Sequence, residues 1–160
     1  MDRQKKAHIK CFPFMPPAAL AELRGNAETK DLSGLALFYP CPSGGIYIQV
    51  EVFHLPDADL PDSSGFFGMH IHEFGNCTRP FDQTGGHDNP ANQEHPYHAG
   101  DLPPLLSKSG YAWTFFYDGR LTLPEILGKS LIIHHDKDDF TTQPSGNSGM
   151  KIGCGVIRNL

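Results

Sequence analysis

Short apolar runs separated by glycine and proline dominate this sequence and restrict the folds that it can adopt. The 17 Gly and 14 Pro are scattered between these runs rather than gathered in one low-complexity tract. Leu35–Tyr39 and Ile46–Phe53 flank a Pro/Ser/Gly turn at 42–45, a pattern typical of two strands joined as a hairpin. At 160 residues with 39% hydrophobic residues, the chain suits a single core. These features favour an all-β fold.

The first 30 residues differ from the rest of the chain. Three prolines are followed by a helix-friendly patch, Ala18–Arg24, which stops at Gly25. The sequence therefore predicts an N-terminal arm over residues 1–30, with at most a single turn or an extended segment. One domain is expected to follow over residues 31–160.

Charge and hydropathy exclude two kinds of partner, nucleic acid and a membrane. The formal net charge is −5, and no Lys/Arg run is longer than Lys5 and Lys6, so the basic footprint of a nucleic-acid-binding protein is absent. No stretch approaches the roughly 20 apolar residues of a membrane span. Met1–Lys10 also lacks the apolar core of a secretory signal. As written, the sequence predicts a cytoplasmic protein; the alternative is an exported mature form whose signal precedes this numbering.

Four cysteines, Cys11, Cys41, Cys77 and Cys154, leave the redox state open. They allow three fully paired connectivities, and the sequence alone does not choose among them. Cytosolic thiols are usually reduced. Either one stable bridge departs from that rule, or the mature chain is exported.

A His-X-His pair is the first sign of chemistry. His70 and His72 lie within the β-like run 66–74, where a period of two points both imidazoles to one face, about 7 Å apart. Taken alone the pair is a weak signal, because such pairs are more often incidental. His134 and His135 end another apolar run, and one of them would complete a three-imidazole site of the kind that suits copper.

The irregular stretch Gly75–Pro104 supplies a second set of ligands. Within fifteen residues it offers three imidazoles and a carboxylate, which are His87, His95, His98 and Asp101. Such a set is complete for a tetrahedral zinc site. The alternative is a solvated polar loop in which the histidines fell by chance. A structural metal supplies the ordering energy that so long a loop needs, so the sequence predicts two neighbouring metal sites.

Five ordered motifs resemble the copper/zinc superoxide dismutase family. They are Gly68–Gly75 (GMHIHEFG), Gly86–Pro90 (GHDNP), His98–Pro103 (HAGDLP), Ile132–His135 (IIHH) and Gly153–Ile157 (GCGVI). The resemblance runs from about Leu32 to the carboxyl end. It implies an eight-stranded Greek-key β-barrel of the immunoglobulin-like sandwich type, with the active-site groups on two long loops.

The resemblance also assigns metal ligands residue by residue. It implies that copper is bound by His70, His72, His87 and His134, and that zinc is bound by His87, His95, His98 and Asp101. His87 is then a bridging imidazolate. His135 lies where the family has no ligand, and we expect it on the surface.

Three further roles come from the resemblance. Asp138 lies where the family places a carboxylate that links a copper-bound to a zinc-bound histidine, and the adjacent Asp139 is the alternative. Cys77 and Cys154 match the family's intrasubunit disulfide. Lys151 stands where the family carries an arginine beside copper, which keeps the charge but exchanges a rigid fork for a mobile ammonium.

The activity that the resemblance implies is superoxide dismutation, in which Cu(II)/Cu(I) cycling yields dioxygen and hydrogen peroxide while zinc stays structural. His87 would carry a proton for the departing peroxide, Lys151 would guide the anion, and Ser145 would supply a hydroxyl to the channel. The rival interpretation is a copper-binding or copper-delivery module on the same barrel with little turnover. A purely structural β-sandwich leaves seven well-placed ligands unexplained. Homodimers are common in the family, so a homodimer is an expected state beside the monomer.

Overall fold

The computed structural model describes residues 15–56 and 65–160. The first fourteen residues of the expected arm, Cys11 among them, lie outside this part. Over the described residues the chain forms ten strands and one α-helical turn. In chain order these are β1 (Ala19–Gly25), β2 (Ser33–Pro40), β3 (Ile46–Phe53), β4 (Phe66–Phe67), β5 (Met69–His72), β6 (Leu105–Leu106), β7 (Ala112–Asp118), α1 (Leu123–Ile126), β8 (Ser130–His134), β9 (Lys151–Val156) and β10 (Arg158–Asn159), with a short 3-10 helix at Asp82–Thr84.

One antiparallel sheet forms most of the molecule and curls around an apolar core. Its strand order is β5-β8-β9-β1-β2-β3-β7, with β10 paired to β1, while β4 and β6 pair separately. The predicted hairpin is formed by β2 and β3, whose register places Pro40 opposite Ile46 across the turn. The core contains fully buried side chains from both ends of the sheet, such as Phe38, Ile48 and Leu131. The all-β class predicted from the sequence is confirmed.

Strand β1 covers most of Ala18–Arg24, the patch whose residues also favour a helix. The segment is extended, with Ala21 and Leu23 buried in the core and Glu22 and Arg24 facing solvent. It pairs with β2 along one side and with β9 and β10 along the other. Of the two alternatives that the sequence left open, a single turn or an extended segment, the structure has the extended one, because neighbouring strands on both sides satisfy the backbone and override a weak helical propensity. This part of the expected arm belongs to the sheet, and the arm stays a prediction for residues 1–14.

Strands β5, β8 and β9 form the wall that carries predicted ligands. Alternation along β5 turns Ile71 into the core and points His70 and His72 to the opposite face. Strand β8, which pairs with β5, ends at His134, and the residue opposite His134 on β9 is Lys151. Three of the predicted ligands and the predicted guiding cation therefore come from adjacent strands.

Two irregular loops cover this face of the sheet, one between β5 and β6 and the other between β8 and β9. A disulfide joins Cys77 in the first loop to Cys154 in β9, the pairing that the family resemblance implied. Cys41 is a buried thiol whose sulfur lies 3.0 Å from Ser43 Oγ. In the part of the chain that the structure describes, no helix has the length and apolar character needed to cross a membrane.

Candidate metal centre

Four imidazoles converge where the sheet wall meets the first loop. We call them the first ligand group; its members are His70, His72, His87 and His134, and all four are buried. One donor atom from each lies within 4.8 Å of the others. The rings of His70 and His87 are stacked with centroids 3.8 Å apart. These are the four residues that the sequence predicts for copper.

A second ligand group adjoins the first and shares one member with it. It consists of His87, His95, His98 and Asp101, also buried and also with donor atoms within 4.8 Å of one another. His87 Nδ1 lies 2.7 Å from Asp101 Oδ1. The Nδ1 atoms of His95 and His98 lie 3.1 and 3.3 Å from Asp101 Oδ2. These are the residues that the sequence predicts for zinc.

Unpaired nitrogens in both groups fit bound cations. Four buried ring nitrogens have no hydrogen-bond partner among the described residues: His70 Nδ1, His87 Nε2, His95 Nδ1 and His98 Nδ1. The last two approach Asp101 closely without an aligned hydrogen bond, as ligands around one ion do. A buried polar atom without a partner is costly. Coordination to a metal removes that cost for all four nitrogens.

His72 and His134 give a second test of fit. The Nδ1 of each lies 3.0 Å from a carbonyl oxygen, that of Gly85 for His72 and that of Gly149 for His134. A carbonyl only accepts, so each Nδ1 must carry the hydrogen, and each neutral ring then has a bare lone pair at Nε2. The two Nε2 atoms lie 3.2 Å apart. Two lone pairs repel at this distance unless a cation lies between them.

Burial keeps these histidines neutral. It lowers the pKa of His134 to about 3, and it also lowers the pKa values of His72 and His70. The positive charge that the neighbouring rings would carry acts in the same direction for His134 and His72. Neutral imidazole is the form that binds metal, so the site is prepared for a cation at neutral pH.

Asp138 connects the two ligand groups by contacting the ring nitrogens opposite the unpaired ones. Its Oδ2 lies 2.8 Å from His70 Nε2 and its Oδ1 lies 2.9 Å from His95 Nε2. Burial alone raises the pKa of Asp138, but hydrogen bonds from His70, the Phe140 N–H and His95 outweigh it and lower the pKa overall. The alternative residue, Asp139, instead accepts hydrogen bonds from Thr141 and Thr142. The contacts to both groups therefore belong to Asp138.

Gly146 allows Asp138 to reach both histidines. Its φ is +65°, in the left-handed region that favours glycine. A side-chain carbon at this position would overlap Asp138 Oδ1 and crowd His95 Nε2. Any larger residue here would displace the carboxylate.

A cavity of about 540 Å³ gives small molecules access to the first ligand group, three of whose histidines form part of its wall. Among the described residues lining this cavity, Lys151 is the one lysine or arginine, whereas Glu73 and Glu94 are acidic. Ser145 also lines it, as the channel role requires. Lys137, in the same loop as Ser145, is exposed and is not part of the wall.

Lys151 is held against one side of the cavity. Its Nζ donates to Thr84 Oγ1 and to the Gly85 carbonyl, each at 2.9 Å. Burial lowers the pKa of Lys151, and the charges of Asp82 and Glu73 act against that shift. The ammonium is therefore fixed where the sequence predicted a mobile one.

The structure also contains a contact that the sequence does not reveal. Gln143 forms a pair of hydrogen bonds with the backbone of His95: its Oε1 accepts from the N–H at 2.9 Å, and its Nε2 donates to the carbonyl at 2.7 Å. A glutamine in a Gly- and Ser-rich loop carries no sequence signal for this role. His135 is exposed and bonds Asp136, outside both ligand groups.

The fold and the two groups define a β-barrel protein with adjacent metal-capable sites that share one imidazole. A family model described as copper/zinc superoxide dismutase matches residues 34–157. The chain therefore belongs to the copper/zinc superoxide dismutase family, which confirms the resemblance in its five motifs.

Individual relatives agree with this assignment. The Cu-Zn superoxide dismutase of Deinococcus radiodurans is 34% identical over 172 aligned residues, covering 94% of this chain and 89% of that protein. Cu-Zn superoxide dismutase 3 of Arabidopsis thaliana is 38% identical over 59% of this chain and 68% of its own length. A crystal structure of a double mutant of a SOD-like protein from Bacillus subtilis superposes with a TM-score of 0.74 at 34% identity, covering 85% of this chain and 94% of that one. This likeness confirms the barrel architecture.

Proposed function

We propose that this protein is a superoxide dismutase with copper at the first ligand group and zinc at the second. The observation that carries the proposal is that His87 belongs to both groups, with Nδ1 beside Asp101 and Nε2 left unpaired among the described residues. Four imidazoles suit copper, and three imidazoles with a carboxylate suit zinc. The overall reaction takes two superoxide ions and two protons to one dioxygen and one hydrogen peroxide.

Bound copper would supply the one-electron chemistry, accepting an electron from one superoxide and returning it to a second. The protein supplies ligands, a proton and a path for the anion. His87 is the proton carrier in this proposal, because its Nε2 is the free nitrogen of a ring anchored at Nδ1 by Asp101. When Nε2 is not coordinated to a metal, a proton held there is close to the other histidines of the first group and is available to a product peroxide.

Lys151 supplies the positive charge that attracts the anion into the cavity. Superoxide is small and negatively charged, and the cavity beside the first group contains this lysine. A cleft concentrates the field of a fixed charge even when the whole molecule is negative. Ser145 on the same wall offers a hydroxyl for hydrogen bonding.

Metal analysis and a superoxide-consumption assay on one sample test the proposal. We expect about one copper and one zinc per chain, with activity that requires both. Replacing His87 by alanine should remove the shared ligand and lower the rate by roughly 10²-fold, the usual contribution of a positioned proton donor. His135→Ala is the matched control, because this exposed histidine lies outside both groups.

Two outcomes would contradict parts of the proposal. Unchanged activity in His87→Ala would remove the bridging role. A wild-type protein that holds both metals but consumes no superoxide would instead be the copper-binding or copper-delivery module that the sequence leaves as the rival.

A further inference from the structure

Lys151 is held by two acceptors from the segment that leads into His87. One is the hydroxyl of Thr84 and the other is the carbonyl of Gly85, both 2.9 Å from Nζ. Thr84 ends the short 3-10 helix and is completely buried. An ammonium has three N–H donors, and these two contacts use two of them. Among the described residues the third donor has no partner, and Lys151 lines the cavity.

The hydroxyl of Thr84 acts as a fixed acceptor. Its own hydrogen is donated to the Phe81 carbonyl at 2.8 Å. The oxygen therefore presents lone pairs, and not a hydrogen, to Lys151 Nζ. The hydrogen bond to Phe81 also holds the hydroxyl in one orientation. The acceptor can neither rotate away nor reverse its polarity.

The Gly85 carbonyl links the same ammonium to the first ligand group. It accepts from Lys151 Nζ at 2.9 Å and lies 3.0 Å from His72 Nδ1. This shared oxygen fixes the separation between the ammonium and the His72 ring. Lysine usually provides a mobile point charge, whereas arginine provides a rigid fork; here two acceptors immobilise the lysine.

We propose that Thr84 is a positioning residue whose hydroxyl fixes the Lys151 ammonium, so that its remaining N–H is directed at a small anion in the cavity. The inference rests on the proposed function, in which Lys151 guides superoxide. It deepens that function by naming the group that turns a lysine into a directional donor. The role of Thr84 does not itself depend on turnover.

Two readouts test the role of Thr84 without an activity assay. The first is the ¹⁵N–¹H resonance of the Lys151 ammonium in the diamagnetic Cu(I),Zn protein. The second is the dissociation constant of azide, a small anion, from the Cu(II),Zn protein. In Thr84→Val, which keeps the shape of the side chain, we expect the ordered ammonium resonance to disappear. Azide binding should weaken roughly three- to tenfold, the effect of losing one hydrogen bond of typical net strength, because the charge of Lys151 stays and only its direction is lost. Thr84→Ser should restore both readouts.

A matched pair keeps the test valid if Thr84→Val does not fold. Thr84→Ser and Thr84→Ala differ by one oxygen atom. In both variants the Phe81 carbonyl still accepts a hydrogen bond from the backbone N–H of residue 84. The proposal requires Thr84→Ser to keep the ammonium resonance and the azide affinity of the wild type. It requires Thr84→Ala to lose the resonance and to bind azide more weakly, as expected for Thr84→Val. Equal ammonium resonances and equal azide affinity in Ser and Ala would overturn it.

The outcomes separate this inference from the proposed function. If the wild type consumes superoxide but Val or Ala matches it in both readouts, the positioning role is wrong and the dismutase function stands. If the hydroxyl controls both readouts but the wild type consumes no superoxide, the positioning role stands and the dismutase function is wrong.

Discussion

In four histidines of this site, a hydrogen bond from one ring nitrogen to the protein fixes the tautomer and the orientation of the ring. A carbonyl oxygen next to Nδ1 of His72 and of His134 decides which nitrogen carries the hydrogen, and so which one is bare. Asp138 does the same for His70 and His95 through Nε2, which leaves Nδ1 for the metal side. In each ring one nitrogen is bound to the protein and the other is available. This is how second contacts fix both tautomer and orientation.

The neutral state of these histidines predicts how stability depends on pH in the metal-free protein. In the unfolded chain a histidine takes up its proton near pH 6.5, whereas burial lowers the pKa of folded His134 to about 3. Between these values the unfolded state binds the extra proton, so the free energy of unfolding falls as the pH falls. The expected slope is about 1.4 kcal/mol per pH unit for each such histidine. His72 and His70 act in the same direction.

Urea unfolding of metal-free, disulfide-intact protein between pH 8 and 4.5 measures this slope. His134→Gln should reduce it by about one proton, which is about 1.4 kcal/mol per pH unit. His135→Ala should leave it unchanged, because that histidine is exposed. A free energy of unfolding that stays constant from pH 7 to pH 5 would show that the buried histidines are not held neutral.

At the scale of elements, the sheet places part of the site and the two loops are fastened to it at separate points. The disulfide between Cys77 and Cys154 ties the first loop to β9. Gln143 and Asp138, both in the second loop, contact His95 in the first. An enclosed loop of this length makes the disulfide worth roughly 4 kcal/mol in the chain-entropy model. The loops thus hold each other over the ligands.

The sequence predicts which candidate ligands the fold brings together, because their spacing is local. His70 and His72 lie two apart on a strand, and the other ligands occur in short ordered motifs. For β1 it leaves a single turn and an extended segment as alternatives, because only the pairing with β2 and β9 decides for the strand. It also misses Thr84 and Gln143, whose partners lie 67 and 48 residues away in the chain. Such contacts depend on tertiary structure and leave no local pattern.

Removing the carboxylate of Asp138, which links β5 to the first loop through His70 and His95, should weaken the binding of both metals. Asp138→Asn keeps the size of the side chain, but an amide can accept from only one of the two histidine N–H groups and presents donors to the other. We expect the affinity for zinc and for copper to fall by roughly 10- to 100-fold, measured by competition with a chelator of known affinity. Asp139→Asn is the matched control, since its carboxylate bonds Thr141 and Thr142. Equal affinities in the two variants would remove the linking role.

At the scale of the whole molecule, the charge opposes the proposed substrate. The formal net charge is −5, and Glu73 and Glu94 line the cavity beside the first ligand group. Superoxide must therefore be attracted by a local positive field rather than by the protein as a whole. The field inside a cleft is set by the nearest fixed charges, because solvent screens the distant ones. Lys151 is the one lysine or arginine among the described residues of the cavity wall.

Ionic strength separates the local field from the net charge. If Lys151 guides superoxide, the rate should fall as salt rises, because screening limits its reach to a Debye length of about 8 Å at physiological salt. Lys151→Ala should lower both the rate and its salt dependence, and Lys151→Glu should lower the rate further. Lys151→Arg should keep or raise the rate, since a forked donor also docks an anion. Lys137→Ala changes the net charge by the same unit at an exposed position outside the cavity, so it should keep the wild-type salt dependence. If Lys151 were an ordinary surface lysine, all three of its variants would share one rate and would respond to salt as Lys137→Ala does.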